Sequence, residues 1–191
     1  MKMSLLERRF VNSGRHGRHV ARRAVERLRS LPVRRGQRYL DVGCGNGAAA
    51  TAGQGMDGVA FRQGDATHLP FPDASFDIVA TNKTTHHIQK WREVLSEMTR
   101  VVTPGGHLIF ADLAVPTVIV GLFRPFSGSA GIFTRRDLDR HFAALGLRGL
   151  TVSTSWWHYD AVFLKPPRTG ATAGHRQTMA PAPAVARGDI P

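Results

Sequence analysis

The sequence predicts an α/β domain built on a doubly wound, mostly parallel sheet with an antiparallel strand at one edge. Three observations carry that expectation. Short apolar runs alternate with helical patterns through the middle of the chain, which favours parallel strands joined by crossovers. The first run, Tyr39 to Val42, enters the glycine-rich segment Gly43-Cys44-Gly45-Asn46-Gly47. Two further strand-like runs follow one another near the end, which suggests the antiparallel edge.

The chain has 191 residues, enough for one such domain with a sizeable core. Its 42% hydrophobic content is ordinary for a globular protein. No apolar run reaches the length of a transmembrane helix. The first ten residues are charged and have no apolar signal region. Cys44 is the single cysteine, so no intrachain disulfide and no all-cysteine metal site can form. These features suit a cytoplasmic protein.

Residues 1–37 form a basic, helical N-terminal extension. Over 16–31, Val20, Ala24, Val25, Leu28 and Leu31 recur at helical spacing between arginines. Pro32 ends the helix, because the residue before a proline is biased away from helical angles. The net charge of +12 is concentrated here. Such a block could meet nucleic acid or an anionic membrane surface. A solvated basic face is the default, since arginine outnumbers lysine along the whole chain. Nucleic acid is disfavoured, and peripheral contact with an anionic membrane stays open.

The domain proper spans 38–165. After the glycine run, Ala48 to Ala52 begins a helix that Gly53 and Gly55 stop early. Val59 to Gln63 reads as a strand, Leu69 to Asp73 as a loop, and Phe76 to Thr81 as a strand. Gln89 to Val101 is a helix with Trp91, Val94, Leu95 and Met98 on one face. Pro104-Gly105-Gly106 is a tight turn into a strand at His107 to Ala111. Leu113 to Ile132 is apolar but broken by Pro116, Pro125 and glycines, and reads as lid-like material. Thr134 caps a helix through Leu145, with Asp137 as an acidic capping-box partner and Gly146 as its C-cap. Leu150 to Ser153 and Trp157 to Leu164 close the sheet. The stretch 166–191 has no periodicity and is expected to be a disordered tail.

A strand that runs into glycines and then a helix lets the backbone approach a ligand closely, and the helix start adds N–H groups and a positive dipole end. Further segments follow in order: Gly64-Asp65-Ala66-Thr67-His68-Leu69-Pro70-Phe71, Ser75-Phe76-Asp77-Ile78-Val79, His86-His87-Ile88, and Arg100 to Leu108 around Pro104-Gly105-Gly106. In this order and spacing the chain resembles the class I S-adenosylmethionine-dependent methyltransferases of the small-molecule type, over roughly 38–165. The resemblance implies a Rossmann-like fold, S-adenosyl-L-methionine as cofactor and a small-molecule acceptor. It implies that Asp41 orients the loop near the methionine part, that Gly43, Cys44, Gly45, Asn46 and Gly47 wrap the cofactor, and that Asp65 and Ala66 meet the adenine. Thr81 to Thr84 would border the cofactor sulfur and the substrate.

The sequence departs from the family pattern after the first strand. The second strand, whose acidic end holds ribose hydroxyls, is missing. Each lost hydrogen bond to a charged acceptor is worth roughly 1.5–3 kcal/mol. The expected repair is for Val59 to Gln63 to pair directly with Tyr39 to Val42, which would make Asp65 the principal acidic contact and leave Asp57 exposed. The rival reading is a non-catalytic relic or binding module that keeps the fold.

Other candidates are fewer. His86 or His87 could act as a general base, or line the pocket. Lys83 could orient an anionic substrate, with a solvated loop lysine as the default. Alternation sends His158 and Asp160 to one face. Trp156 and Trp157 could be core or substrate wall. The scattered histidines have no ligand spacing, so no metal is expected. Asn82-Lys83-Thr84-Thr85 after the fourth strand argues against amine methylation of nucleic acid or protein glutamine.

Overall fold

The structure is a computed structural model that describes residues 31, 34, 36–43, 62–116, 119–120 and 131–167. Its described strands form one sheet: β1 (Tyr39–Val42), β2 (Phe76–Asn82), β3 (Val102–Leu113), β4 (Arg148–Thr154) and β5 (His158–Leu164), in spatial order β1-β2-β3-β5-β4. β1, β2 and β3 are parallel, with Val42 opposite Thr81 and Thr81 opposite Phe110. β5 runs antiparallel to β3, and the short link to β4 makes a hairpin whose outer strand is the sheet edge. This is the expected α/β sheet, with β5 as the antiparallel strand and β4 outside it.

Helix α1 (Trp91–Val101) and helix α2 (Arg135–Ala144) pack on one face. Val94, Leu95, Met98 and Val101 recur at helical spacing and are fully buried against Leu108 and Phe110. Each such side chain contributes roughly 1.5–3 kcal/mol of hydrophobic stabilisation. From α2, Phe142 reaches Phe110 at 5.2 Å and Phe163 at 4.3 Å between ring centroids. The opposite face gathers Ile78, Ala80, Ile109 and Val162 with Leu31. Strand alternation divides β2, β3 and β5 between these two layers.

The local signals at α2 work as expected. Thr134 Oγ1 accepts from the Asp137 N–H at 3.2 Å, and the Asp137 carboxylate accepts from the Thr134 N–H at 2.9 Å. This reciprocal capping box satisfies donors that the helix start leaves over. Gly146 follows at φ +70°.

Two expectations need correction. Pro104-Gly105-Gly106 is not a turn before the strand but a bulge inside β3: Val102 pairs with Phe76 and His107 with Ile78. The β5 end holds it open, because the Gly105 N–H donates to the Lys165 carbonyl and the Lys165 N–H to the Gly106 carbonyl. A Cβ on Gly106 would lie 2.6 Å from Thr103 Oγ1 and 2.7 Å from the Asp77 carbonyl oxygen.

The second correction concerns Val59 to Gln63. Arg62 and Gln63 are exposed and belong to no strand, while 59–61 lie outside the described residues. Two long polar side chains at the surface offer the sheet no apolar face to bury. Among the described residues, β1 is paired on its β2 side alone. The helix expected over 16–31, the tail and most of 113–132 also lie outside the described residues. Among those described, no helix is long and apolar enough to cross a membrane.

Candidate active site

Parallel strands bring their C-terminal ends to one edge, and ligands of open α/β sheets bind outside that edge. Here it gathers Val42 and Gly43 after β1, Thr81 to His87 after β2, and Asp112 to Pro116 at the end of β3.

The β1 end is pinned from β2. Thr81 is buried, and its hydroxyl donates to the Val42 carbonyl at 2.9 Å. Thr81, expected to border the cofactor, ties the ends of β1 and β2 together through this side-chain hydrogen bond. Thr84 Oγ1 donates to the Gly43 carbonyl at 3.0 Å. Gly43 has φ +83°, where a side chain is strained, and its Cβ position is filled by Thr84. Asp41 is mostly buried, which pushes its carboxyl up to about 6. Cys44, Gly45, Asn46, Gly47 and Asp57 lie outside the described residues.

Asp65 and Ala66 stand on a turn. Asp65 is exposed, and its Oδ1 accepts from the Thr67 N–H at 2.9 Å and the Thr67 hydroxyl at 2.8 Å. These two hydrogen bonds, backbone first, hold its carboxyl below the usual carboxylate range.

After β2 the chain turns sharply. Lys83 adopts φ +51°, and its N–H donates to the Ala111 carbonyl at 2.7 Å. A non-glycine residue in this region stores backbone strain of about 1–3 kcal/mol. The strain delivers Thr85–His87 as a short 3-10 turn over the end of β3. The Gly131 N–H closes the turn from outside by donating to the His86 carbonyl at 3.0 Å.

Asp112, near the end of β3, is the functional residue that the sequence did not reveal. Its side chain is fully buried. Its carboxylate accepts from the Thr85 N–H at 2.8 Å, the Thr85 hydroxyl, the His86 N–H at 3.2 Å and the Leu113 N–H at 2.7 Å. His86 Nδ1 completes the set at 2.5 Å from Oδ1. Burial alone would raise this carboxyl, but the hydrogen bonds from His86, Thr85 and Leu113 outweigh it and hold it low. A sequence signal existed: an acid closing the apolar run Leu108 to Ala111.

The carboxylate orients the imidazole. An Nδ1–H can donate to it, and in the neutral ring with that tautomer the lone pair stands on Nε2. The His86 side chain is 22% exposed. His87 packs against His86 with ring centroids 3.8 Å apart.

The other candidates fall elsewhere. Tyr159, between His158 and Asp160, is buried on the α2 face and donates to Asp139 Oδ1 at 2.6 Å. Trp156 and Trp157 are exposed, not core. Trp156, His158 and Arg135 line an open cleft beside Ala114 to Pro116. Among the described residues no group of histidine, cysteine or carboxylate side chains could hold a metal ion.

A family model described as a methyltransferase domain matches residues 48–110. Among curated proteins, the 27-O-demethylrifamycin SV methyltransferase of Amycolatopsis mediterranei is 37% identical over 125 residues, which covers 50% of this chain and 46% of the relative. The demethylmenaquinone methyltransferase of Renibacterium salmoninarum is 35% identical over 130 residues, covering 57% and 52%. The chain thus spans about half the length of the curated relatives it matches. Among solved structures, the geranyl diphosphate C-methyltransferase of Streptomyces coelicolor superposes with a TM-score of 0.60 at 14% identity, covering 79% of this chain and 80% of that one. That structure contains S-adenosyl-L-homocysteine, geranyl diphosphate and Mg2+.

Proposed function

We propose that the chain is a class I S-adenosylmethionine-dependent methyltransferase, supported by the family match and the relatives, and that it transfers a methyl group to a small-molecule acceptor, with His86 as general base and Asp112 as its positioning residue. The observation that carries this reading is the 2.5 Å hydrogen bond between His86 Nδ1 and the buried Asp112 carboxylate.

Three features at this edge support the cofactor reading. A glycine at positive φ follows β1, the largely buried Asp41 lies beside it, and the exposed Asp65 carboxylate is held by Thr67. Gly43 with the loop Cys44 to Gly47, together with Asp41, Asp65 and Ala66, would hold it. When bound, S-adenosylmethionine supplies an electrophilic methyl on a sulfonium, and the protein supplies orientation and proton handling.

His86 takes the acceptor's proton at Nε2 as that atom becomes the nucleophile. Asp112 keeps the proton on Nδ1 and stabilises the imidazolium that results. Thr85 and the Leu113 N–H fix the carboxylate, so the base is aimed before the acceptor arrives. The acceptors named for the relatives, a demethylrifamycin and a demethylmenaquinone, suggest a bulky, largely apolar molecule with an ionisable hydroxyl or ring carbon.

The test is a transfer assay with methyl-labelled S-adenosylmethionine against demethylmenaquinone, demethylrifamycin and simple hydroquinones. Labelled product is expected, and His86→Ala should lower its rate by roughly 10²–10⁴, the usual contribution of a positioned base. Full turnover in His86→Ala would remove His86 from the mechanism.

A second reading, a cofactor-binding module without turnover, is favoured by the exposed, non-strand Arg62 and Gln63 where a cofactor-supporting strand was expected. Binding of S-adenosylmethionine with no labelled product from any acceptor would favour it.

A further inference from the structure

With Tyr39, the exposed large apolar side chains among the described residues are Leu150, Val152, Trp156 and Trp157. The last four belong to one hairpin, β4 and its turn into β5. Trp156 is 68% exposed and Trp157 44%. β4 is open along nearly its whole length. Exposed apolar side chains gathered on one hairpin mark a candidate interaction surface.

Two arginines stand beside it at the start of α2. Arg135 lines the cleft with Trp156 and His158, and Arg136 follows it at the start of α2. Asp137 caps Thr134, while the half-exposed Asp139 accepts the Tyr159 hydroxyl and pairs with Arg135 at 3.7 Å. The whole chain carries +12.

Three occupants can be compared. A small ligand in the cleft would cover Trp156 but not Trp157, which does not line it. A second copy added along β4 would meet the register shift between Gly149 and Thr151, and a bulge of this type discourages edge pairing. A lipid surface suits both features: indoles settle at the boundary between headgroups and acyl chains, and arginines pair with phosphates.

We propose that the tip of the β4–β5 hairpin, Trp156 and Trp157, docks on an anionic bilayer surface with Arg135 and Arg136 toward the headgroups. The Ala114 N–H donates to the Trp157 carbonyl at 3.0 Å, which fixes the hairpin two residues beyond Asp112. Docking therefore sets the His86–Asp112 end of the sheet near the membrane, where an apolar molecule would be met.

The full chain reports on this directly. It has three tryptophans, and Trp91 is buried at 3% exposure. Vesicles of equimolar phosphatidylcholine and phosphatidylglycerol should blue-shift the emission, and brominated phosphatidylcholine in them should quench it. Pure phosphatidylcholine should act more weakly. Trp156→Ala/Trp157→Ala should lower partitioning by roughly tenfold or more, about 1.4 kcal/mol. Arg135→Glu/Arg136→Glu should remove the preference for anionic lipid. The wild-type shift stands without any variant. Co-sedimentation with no shift or quenching would place binding elsewhere on the chain and overturn the proposal. No binding would overturn it too, as would a shift that grows with protein concentration in the absence of lipid, the signature of a second copy.

Discussion

Thr84 occupies the space that a side chain on Gly43 would need. A Cβ there would lie 2.7 Å from Thr84 Cβ, while Thr84 Oγ1 donates to the Gly43 carbonyl at 3.0 Å. The first glycine of the loop is thus required by the protein's own turn after β2, before any ligand is considered. Gly43→Ala is expected to destabilise the fold by about 2–4 kcal/mol, from overpacking and a left-handed alanine together. Adding Thr84→Gly should recover the crowding part. A double-mutant cycle followed by urea unfolding should give a coupling of at least about 1 kcal/mol; strictly additive effects would contradict the contact.

Lys165, just past the end of β5, closes the end of α1. Its Nζ donates to the Thr99 and Val102 carbonyls, each at 2.7 Å. A cation at a helix C-terminus meets orphan carbonyls and the negative dipole end. Lys165→Met keeps the stem and removes the donors. It should lower stability by about 1.5–3 kcal/mol, the range for hydrogen bonds to charged groups, read as a lower urea midpoint at unchanged slope.

Asp41 makes stability depend on pH. Burial raises its folded-state value from 3.8 to about 6. The native state therefore holds the proton more tightly than the unfolded chain, and this group's contribution falls as pH rises from about 4 to about 6, then levels off. Asp41→Asn should flatten that slope and be the more stable protein at pH 7, by up to about 3 kcal/mol. Urea unfolding at pH 4.5 and pH 7 measures both. A wild-type stability that rises over that window by the amount the variant lacks would refute the assignment.

Asp112 and His86 should separate fold from chemistry. Removing a buried carboxylate strands the donors of Thr85, His86 and Leu113, so Asp112→Ala should cost about 3–5 kcal/mol. His86→Ala takes one donor from the buried carboxylate and leaves those of Thr85 and Leu113, so it should cost about 1–3 kcal/mol, less than Asp112→Ala. Thermal unfolding of the two variants checks the contrast; equal losses would make His86 a structural residue.

Much of the sheet was legible because its signals are local. The apolar runs at 76–81 and 107–111 need only period-two burial, and the Thr134–Asp137 cap lies within one turn. The bulge at Gly105 was hidden because Lys165, far along the chain, holds it open. Asp112 was hidden for the same reason. Its partner His86 is 26 residues away, and only the parallel pairing of β2 and β3 brings them together. Val59 to Gln63 misled because the apolar residues at its start resemble a strand, while Arg62 and Gln63 at its end stay in water. Trp156 and Trp157 gave no sign of being exposed, since an aromatic pair beside a strand reads equally as core.

The central claim is that this chain is built to bind S-adenosylmethionine at the ends of β1 and β2. Calorimetric titration of the full chain with S-adenosylmethionine and with S-adenosylhomocysteine tests it most directly. One equivalent of each should bind, with Asp65→Ala much weaker and Asp57→Ala unchanged. No heat from either ligand, in a protein shown to be folded by cooperative thermal unfolding, would contradict the account.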